Sequence, residues 1–128
     1  MRDVGVLGVG VDLCGIARIA RAMERAHFME RVYTGEERAY LALKGKGAAQ
    51  SAAAMFAAKE AVAKALGTGF SGGVSPGQIG VCHAPGGMPH VMLTGAALER
   101  LQALGGRQVR LSLSHEQDMA VAFAVITG

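Results

Sequence analysis

The feature that most constrains this chain is an alanine-rich segment, Met55–Gly69, which predicts the end of a long helix. Alanine, leucine, lysine and glutamate favour helices, and a glycine such as Gly67 is typical of a helix C-terminus. At about 100° per residue, one side of the helix carries an apolar stripe: Met55, Ala58, Val62 and Leu66. Glu60 and Lys64 lie one turn apart on about the opposite side, with Phe56 below them. Because a solvated face rarely carries phenylalanine, we expect a covered site for a charged ligand.

Length and composition indicate one domain over residues 1–128. The apolar fraction of 51% is high for a small soluble monomer, so we expect part of the apolar surface to be buried between subunits. The formal net charge of +3 favours an acidic partner or a phosphate-bearing ligand. Dense Lys/Arg stripes and many stacking aromatic residues are missing, which argues against nucleic acid as the partner.

The sequence predicts a cytoplasmic protein. No apolar run reaches the roughly 20 residues that cross a bilayer, and the short run from Val4 to Leu13 contains glycines and Asp12. The only cysteines, Cys14 and Cys82, lack metal or redox spacing. We therefore expect both to be reduced packing residues.

The pattern along the chain predicts an α+β fold, with an antiparallel sheet packed on the long helix. Helices are expected at 15–26, 34–43, 48–66 and 94–104, and strands at 4–11, 78–83, 90–93, 109–113 and 119–126. Thr34 and Glu37 fit a capping box, and Thr94 fits the N-cap of a later helix. Residues 114–118 read as a polar turn. The last strand is almost wholly apolar, so we expect both of its faces to be covered.

Several polar residues stand where a buried element ends. Asp12 follows the first strand, either to bind a cation or partner or to cap the next helix. Glu60 and Lys64 form either part of a site or an ordinary surface pair. A hydroxyl, an imidazole and a carboxylate follow the fourth strand: Ser114, His115 and Glu116. Among the other histidines, His27 fits a helix end, and His83 and His90 fit exposed sheet positions.

Three blocks, in this order, resemble those of the holo-[acyl-carrier-protein] synthases, the small phosphopantetheinyl transferases. They are Gly8–Leu13, Phe56–Gly69 and Ser112–His115. The resemblance covers nearly the whole chain and implies the fold of that family. It also implies a homotrimer, with coenzyme A bound between neighbouring subunits.

The resemblance further implies transfer of 4′-phosphopantetheine from coenzyme A to a serine of an apo acyl carrier protein. Adenosine 3′,5′-bisphosphate would be released, in support of fatty acid or polyketide synthesis. By analogy, Asp12 and Glu60 bind Mg²⁺, and Lys64 lies near the coenzyme phosphates. His115 acts across the subunit interface, near the pyrophosphate. A carboxylate, Glu60 or Glu116, accepts the proton of the serine, which makes Glu60, Lys64, His115 and Glu116 the expected catalytic set.

The expected coenzyme contacts come from four parts of the chain: Lys44, Lys46, Lys64, Gly67, Thr68, Gly69, Pro89, Ser114 and His115. Met55 departs from the family, which commonly has arginine there, so Lys44 or Lys46 could replace that contact. Met88 stands where a basic residue is common, and Glu116 where threonine or aspartate is frequent.

An aligned set of arginines marks the expected carrier-binding surface: Arg18, Arg21 and Arg25. Because such carriers are acidic, these residues would steer the carrier toward Asp12 and Glu60; a merely solvated helix face is the alternative. Two other function classes remain open. A nucleotide-binding module would bind without magnesium and modify no carrier, and a structural oligomer would show no thermal shift with coenzyme A.

Overall fold

Helix α4 (Ala48–Ala65) is the central element of the computed structural model, which describes residues 5–128. Ten of its 18 residues are buried, most of them alanines. Small side chains allow other elements to approach the helix from several sides. The predicted stripe of Met55, Ala58, Val62 and Leu66 is buried, which confirms that face of the helix.

The remaining elements surround this helix. The strands are β1 (Val6–Gly15), β2 (Ile79–His83), β3 (Pro89–Leu93), β4 (Gln108–Glu116) and β5 (Met119–Thr127). The other helices are α1 (Ile16–Ala22), α2 (Ala26–Val32), α3 (Gly35–Ala42) and α5 (Gly95–Ala103), with short 3₁₀ turns at Gly45–Gly47 and Pro76–Gln78.

An antiparallel sheet in the order β1-β5-β4 packs on α4, and β2 and β3 form a separate antiparallel hairpin. On the inner face of β5, small residues are wholly buried against the helix: Ala120, Ala122 and Ala124, followed by Ile126. The predicted α+β class, with an antiparallel sheet on a long helix, is confirmed.

The predicted capping box at the start of α3 is also confirmed. The Glu37 amide donates to Thr34 Oγ1 over 3.1 Å, and the Thr34 amide donates to Glu37 Oε1 over 2.8 Å. The predicted cap of α5 is only partly right. Thr94 is the N-cap residue, but its side chain makes no capping bond. Instead, Gln78 Oε1 accepts a hydrogen bond of 3.1 Å from the Ala97 amide.

Three predicted boundaries are wrong. The first strand continues past Asp12 to Gly15, because pairing with β5 extends to Met119; its predicted start at Val4 lies outside the described residues. The single helix predicted at 15–26 ends at Ala22, and the unpredicted helix α2 follows it. Strand β4 continues to Glu116, which limits the turn to residues 117–118.

Within residues 5–128 of a single chain, the last strand is covered on one face only. Its outer face, together with that of β1, leaves large apolar side chains exposed: Val9, Val11, Leu13, Met119 and Phe123. The expectation of two covered faces is therefore not met by one copy of the chain.

The cysteines and histidines differ in their surroundings. Cys14 is buried as predicted, whereas Cys82 is exposed, which contradicts its prediction as a packing residue. His90 is exposed as predicted. His83 is half-buried and stacks on Tyr40, so its predicted exposure is wrong. His27 lies at the N-terminal end of α2, whereas a cation is favoured at a helix C-terminus. No helix among the described residues is both long enough and apolar enough to span a membrane.

Candidate active site

The site begins where β1 crosses α4. Alternate residues of β1 face the helix, and Asp12 is among them. Lys64 Nζ donates to Asp12 Oδ1 over 2.8 Å and to the Val11 carbonyl oxygen over 3.1 Å. The side chain of Asp12 is 13% exposed and that of Lys64 is 53% exposed. Asp12 does not cap α1, since Gly15 is the N-cap residue. Lys64 forms its salt bridge with a residue of another element, so it is not simply part of a surface pair along α4.

The two predicted carboxylates meet at this point. Burial raises the pKa of Glu60, and the neighbouring Asp12 raises it further through its charge and a shared hydrogen bond; Lys64 and Arg18 oppose that shift. The hydrogen bond that Lys64 donates to Asp12, together with the charge of Asp12, raises the pKa of Lys64. Two carboxyl groups so close together repel each other when both are ionised. They are therefore suited to sharing a proton or a cation.

The donor atoms at Asp12 and Glu60 fit a magnesium ion. Mg²⁺ prefers oxygen ligands and is usually held by one or two carboxylates together with substrate phosphates and water. The described part of the chain has no cluster of three or more Asp, Glu, His or Cys side chains that could hold a metal. Oxygen atoms of a bound phosphate group and water are the usual remaining ligands of such an ion.

A groove with a cavity volume of about 690 Å³ extends from Glu60 across α1 and α2. Its lining combines four arginines, Arg18, Arg21, Arg25 and Arg31, with three aromatic rings, Phe28, Phe56 and Phe70. Phe28 and Phe56 stack with ring centroids 6.1 Å apart. The three predicted arginines do share one surface, although Arg25 is the N-cap of α2 rather than a residue of α1. The sequence does not predict α2, so it does not place Arg31 on this surface.

His115 does not join the carboxylates within one chain. It lies on the inner face of β4, and its Nε2 atom is 3.0 Å from Gln50 Nε2, in the first turn of α4. Gln50 and Glu60 are ten residues apart in the same helix, about 15 Å along its axis. Ser114 and Glu116 alternate with His115 and therefore face the opposite side of the sheet.

The other predicted coenzyme contacts divide between the two ends of α4. Gly67, Thr68 and Gly69 follow its C-terminus, on the side of Lys64. Lys44 and the exposed Lys46 precede its N-terminus, on the side of His115. Lys44 Nζ lies 4.8 Å from the centroid of the Tyr40 ring. That ring stacks on His83, whose strand β2 pairs with β3 so that His83 lies opposite Pro89. Burial, together with the charge of Lys44, lowers the pKa of His83.

Sequence reasoning missed a buried ion pair beside this site. Lys59 Nζ lies 2.7 Å from Glu37 Oε1, and both side chains are almost wholly buried. Burial lowers the pKa of Lys59, and Glu37 opposes this shift. A signal was present in the spacing, because Lys59 lies four residues after Met55 and three before Val62, on the apolar stripe.

Comparison with known proteins identifies the class. The family model of the 4′-phosphopantetheinyl transferase superfamily matches residues 8–124. The holo-[acyl-carrier-protein] synthase of Gluconobacter oxydans is 47% identical over 127 residues, covering 94% of this chain and 80% of that protein. The chain belongs to the holo-[acyl-carrier-protein] synthase family, and it is an enzyme of that class.

Two solved structures agree with this assignment. The crystal structure of holo-[acyl-carrier-protein] synthase from Neisseria meningitidis is similar with a TM-score of 0.85 and 38% identity, covering 95% of this chain and 98% of that one. The synthase from Bacillus anthracis, in complex with CoA (3′,5′-ADP), is similar with a TM-score of 0.81 and 34% identity, covering 96% and 97%.

Proposed function

We propose that this enzyme transfers the 4′-phosphopantetheine group of coenzyme A to a serine hydroxyl of an apo acyl carrier protein. The observation that carries the proposal is the meeting of Asp12 and Glu60 beside Lys64, at the end of an arginine-lined groove. The groove offers a place for a macromolecule, and the carboxylates offer a place for a metal and phosphates. The coenzyme complex of the Bacillus anthracis relative supports coenzyme A as the donor.

Asp12 and Glu60 would hold Mg²⁺. When bound, this ion would neutralise charge on the pyrophosphate of coenzyme A and so stabilise the transferring phosphoryl group. Lys64 would exchange its bond to Asp12 for one to a phosphate oxygen. The serine oxygen attacks the phosphorus atom that carries pantetheine, the bond to the bridging oxygen breaks, and adenosine 3′,5′-bisphosphate leaves.

Glu60 is the favoured acceptor of the serine proton. It lines the groove from which the carrier would arrive, and a general base must lie within hydrogen-bond reach of the proton that it accepts. Glu116 is exposed on the other side of the sheet from α4. It could take this role only from a neighbouring subunit.

A homotrimer with shared sites would bring together two groups of predicted site residues that lie far apart in one chain. The carboxylates and Lys64 lie toward one end of α4, and Lys44, Lys46 and His115 toward the other. The exposed apolar face of β1 and β5 gives neighbouring copies a surface to cover. Coenzyme A would then lie between subunits, its pyrophosphate near His115 of one copy and Glu60 of the next.

The arginine-lined groove is the proposed docking surface for the carrier. Four arginines favour an acidic partner, and the phenylalanine rings offer apolar contact beneath them. The expected products are holo carriers for fatty acid or polyketide synthesis, made in the cytoplasm.

Mass spectrometry of an apo carrier incubated with the protein, coenzyme A and Mg²⁺ tests the function directly. We expect the carrier to gain the mass of one phosphopantetheine group on serine, and to gain nothing when Mg²⁺ is chelated. Binding of coenzyme A with no modification of any carrier would instead favour a nucleotide-binding module.

A further inference from the structure

The buried ion pair between Lys59 and Glu37 has no part in the proposed chemistry. The exposed fractions of the two side chains are 0% and 2%. Removing two charges from water offsets much of their attraction, so a buried pair is often no more stabilising than apolar residues of similar size. Stability alone therefore does not account for these charges.

The pair connects three parts of the chain. Besides Glu37, Lys59 Nζ donates to the carbonyl oxygens of Pro76 and Ile79, over 3.0 and 2.7 Å. Glu37 Oε2 accepts a hydrogen bond of 2.7 Å from the Val81 amide. Together these bonds attach the segment 76–81 to α4 and to the N-terminus of α3.

The attached segment contributes one residue, Pro76, to the wall of the arginine-lined groove. Pro76 lines the groove, as does Phe70 earlier in the same connection between α4 and β2. This connection is mostly loop, and Gly72 and Gly73 within it have positive φ angles. The two bonds from Lys59 therefore attach this segment to α4, next to Glu60. Gln78 attaches it on its other side, through bonds to Gly73 and to the Thr94 and Ala97 amides.

We infer that Lys59 and Glu37 are positioning residues for carrier docking, which fix the wall of the groove at Pro76. This inference rests on the proposed function, since it assigns the groove to the carrier. The pair acts through the backbone of residues 76–81 and not by contact with a reacting atom. It should therefore affect recognition of the carrier more than that of coenzyme A.

Glu37→Asp tests the inference, because it keeps the charge but shortens the side chain by one methylene. The shorter carboxylate should lose at least one of its bonds to Lys59 and the Val81 amide, and it should also lose the capping bond from the Thr34 amide. In the folded variant we expect the KM for apo carrier to rise about tenfold, with kcat and the KM for coenzyme A within about twofold of wild type. Glu36→Asp, the same change at the exposed neighbouring residue, is the matched control and should leave all three unchanged.

A second variant, Glu37→Gln with Lys59→Met, removes both charges at nearly constant size and should show the same selective rise in KM. Circular dichroism establishes that each variant is folded at the assay temperature. An unchanged KM for the carrier, or a parallel loss in kcat and both KM values, would overturn the inference. Failure of the wild-type protein to modify any apo carrier would instead overturn the proposed function.

Hydrogen exchange on the wild-type protein provides a test that needs no variant. If the groove wall is already held in place before the carrier binds, the amides of residues 79–81 should exchange slowly in the free protein. Their exchange rates should then change little when apo carrier binds. Fast exchange in the free protein that slows only on docking would contradict the inference even if both variants failed to fold.

Discussion

Gly10 of β1 lies directly against Ala61 of α4, so closely that a Cβ atom on Gly10 would overlap the Ala61 carbonyl oxygen. Gly8 has the same relationship to Ala65, one turn further along the helix. The glycines of the first block therefore allow a strand to cross a helix at backbone contact. Because Asp12 follows Gly10 on the same face of β1, this contact brings its carboxylate to Glu60.

Gly10→Ala should accordingly destabilise the protein and reduce its activity. The added methyl group meets backbone atoms that cannot move independently, so we expect a loss of about 3 kcal/mol, at the upper end for overpacking. Urea unfolding measures this change. Gly47→Ala is the control, because Gly47 has a negative φ and no heavy atom within 4 Å of an added Cβ. Equal free energies of unfolding for the two variants would show that Gly10 does not pack directly against the Ala61 carbonyl oxygen.

Asp12→Asn and Glu60→Gln test the metal assignment. Each removes one proposed ligand charge, so we expect kcat/KM at limiting magnesium to fall about 100-fold, equivalent to roughly 2.7 kcal/mol. Higher magnesium should restore part of the loss in Asp12→Asn, and less of it in Glu60→Gln, which also lacks the proposed proton acceptor. Steady-state rates across a magnesium titration measure the effect, with Glu99→Gln on the exposed face of α5 as control. Near-normal turnover of either variant at limiting magnesium would show that its carboxylate is not a ligand.

Mixed oligomers test whether sites are shared. At limiting magnesium we expect Glu60→Gln and His115→Ala to have only residual activity separately, but much higher activity after the two are unfolded and refolded together. If each site takes Glu60 from one subunit and His115 from the next, random mixing at equal amounts leaves about a quarter of the sites intact. The activity of the mixture, relative to refolded wild type, measures that fraction. A mixture as inactive as its components would mean either that both residues act in one subunit's site or that the two variants do not assemble together. Native mass spectrometry distinguishes these two outcomes, because it detects mixed oligomers directly.

Reversing the charges at Arg18 and Arg21 to Glu should weaken carrier recognition. An acidic carrier is attracted to the groove mainly through charge, so the KM for carrier should rise at least about tenfold at low salt. Its dependence on salt should also flatten, because salt screens the interactions that have been lost. Arg107→Glu, a single reversal at an exposed residue outside the groove, is the control. The same KM for the double variant as for wild type at all salt concentrations would exclude steering by this surface.

The elements that could be predicted are those whose signal is local. The α4 stripe and the Thr34–Glu37 capping box depend on residues within one or two turns, and the structure confirms both. The break between α1 and α2 has no such signal. Residues 16–32 contain neither Gly nor Pro, and the second helix is held by tertiary contacts such as Phe28 on Phe56.

The same distinction between local signals and tertiary contacts applies to the candidate site. Residue types and spacing make Asp12, Glu60 and Lys64 candidates, and the family resemblance assigns them to one site. The structure brings the three side chains together. The burial of Lys59 could not be predicted in full, because its partner Glu37 lies 22 residues earlier in the sequence. The distance of His115 from the carboxylates likewise depends on which end of α4 faces β4, which no local pattern encodes.

Tyr33 gives a prediction for alkaline pH. Its hydroxyl is buried and donates to the Ala52 carbonyl oxygen over 2.7 Å, and burial raises its pKa above the ordinary value of 10.0. Above about pH 10 the unfolded chain loses this proton while the folded protein keeps it, so the free energy of unfolding falls with pH, by at most about 1.4 kcal/mol per pH unit for one group. Tyr33→Phe lacks this proton. It should be about 1 kcal/mol less stable at neutral pH, where the hydrogen bond is lost, and the difference from wild type should shrink as pH rises above 10. Urea unfolding at several pH values measures both free energies, and a difference that stays constant through this range would show that Tyr33 ionises as readily in the folded protein as in the unfolded chain.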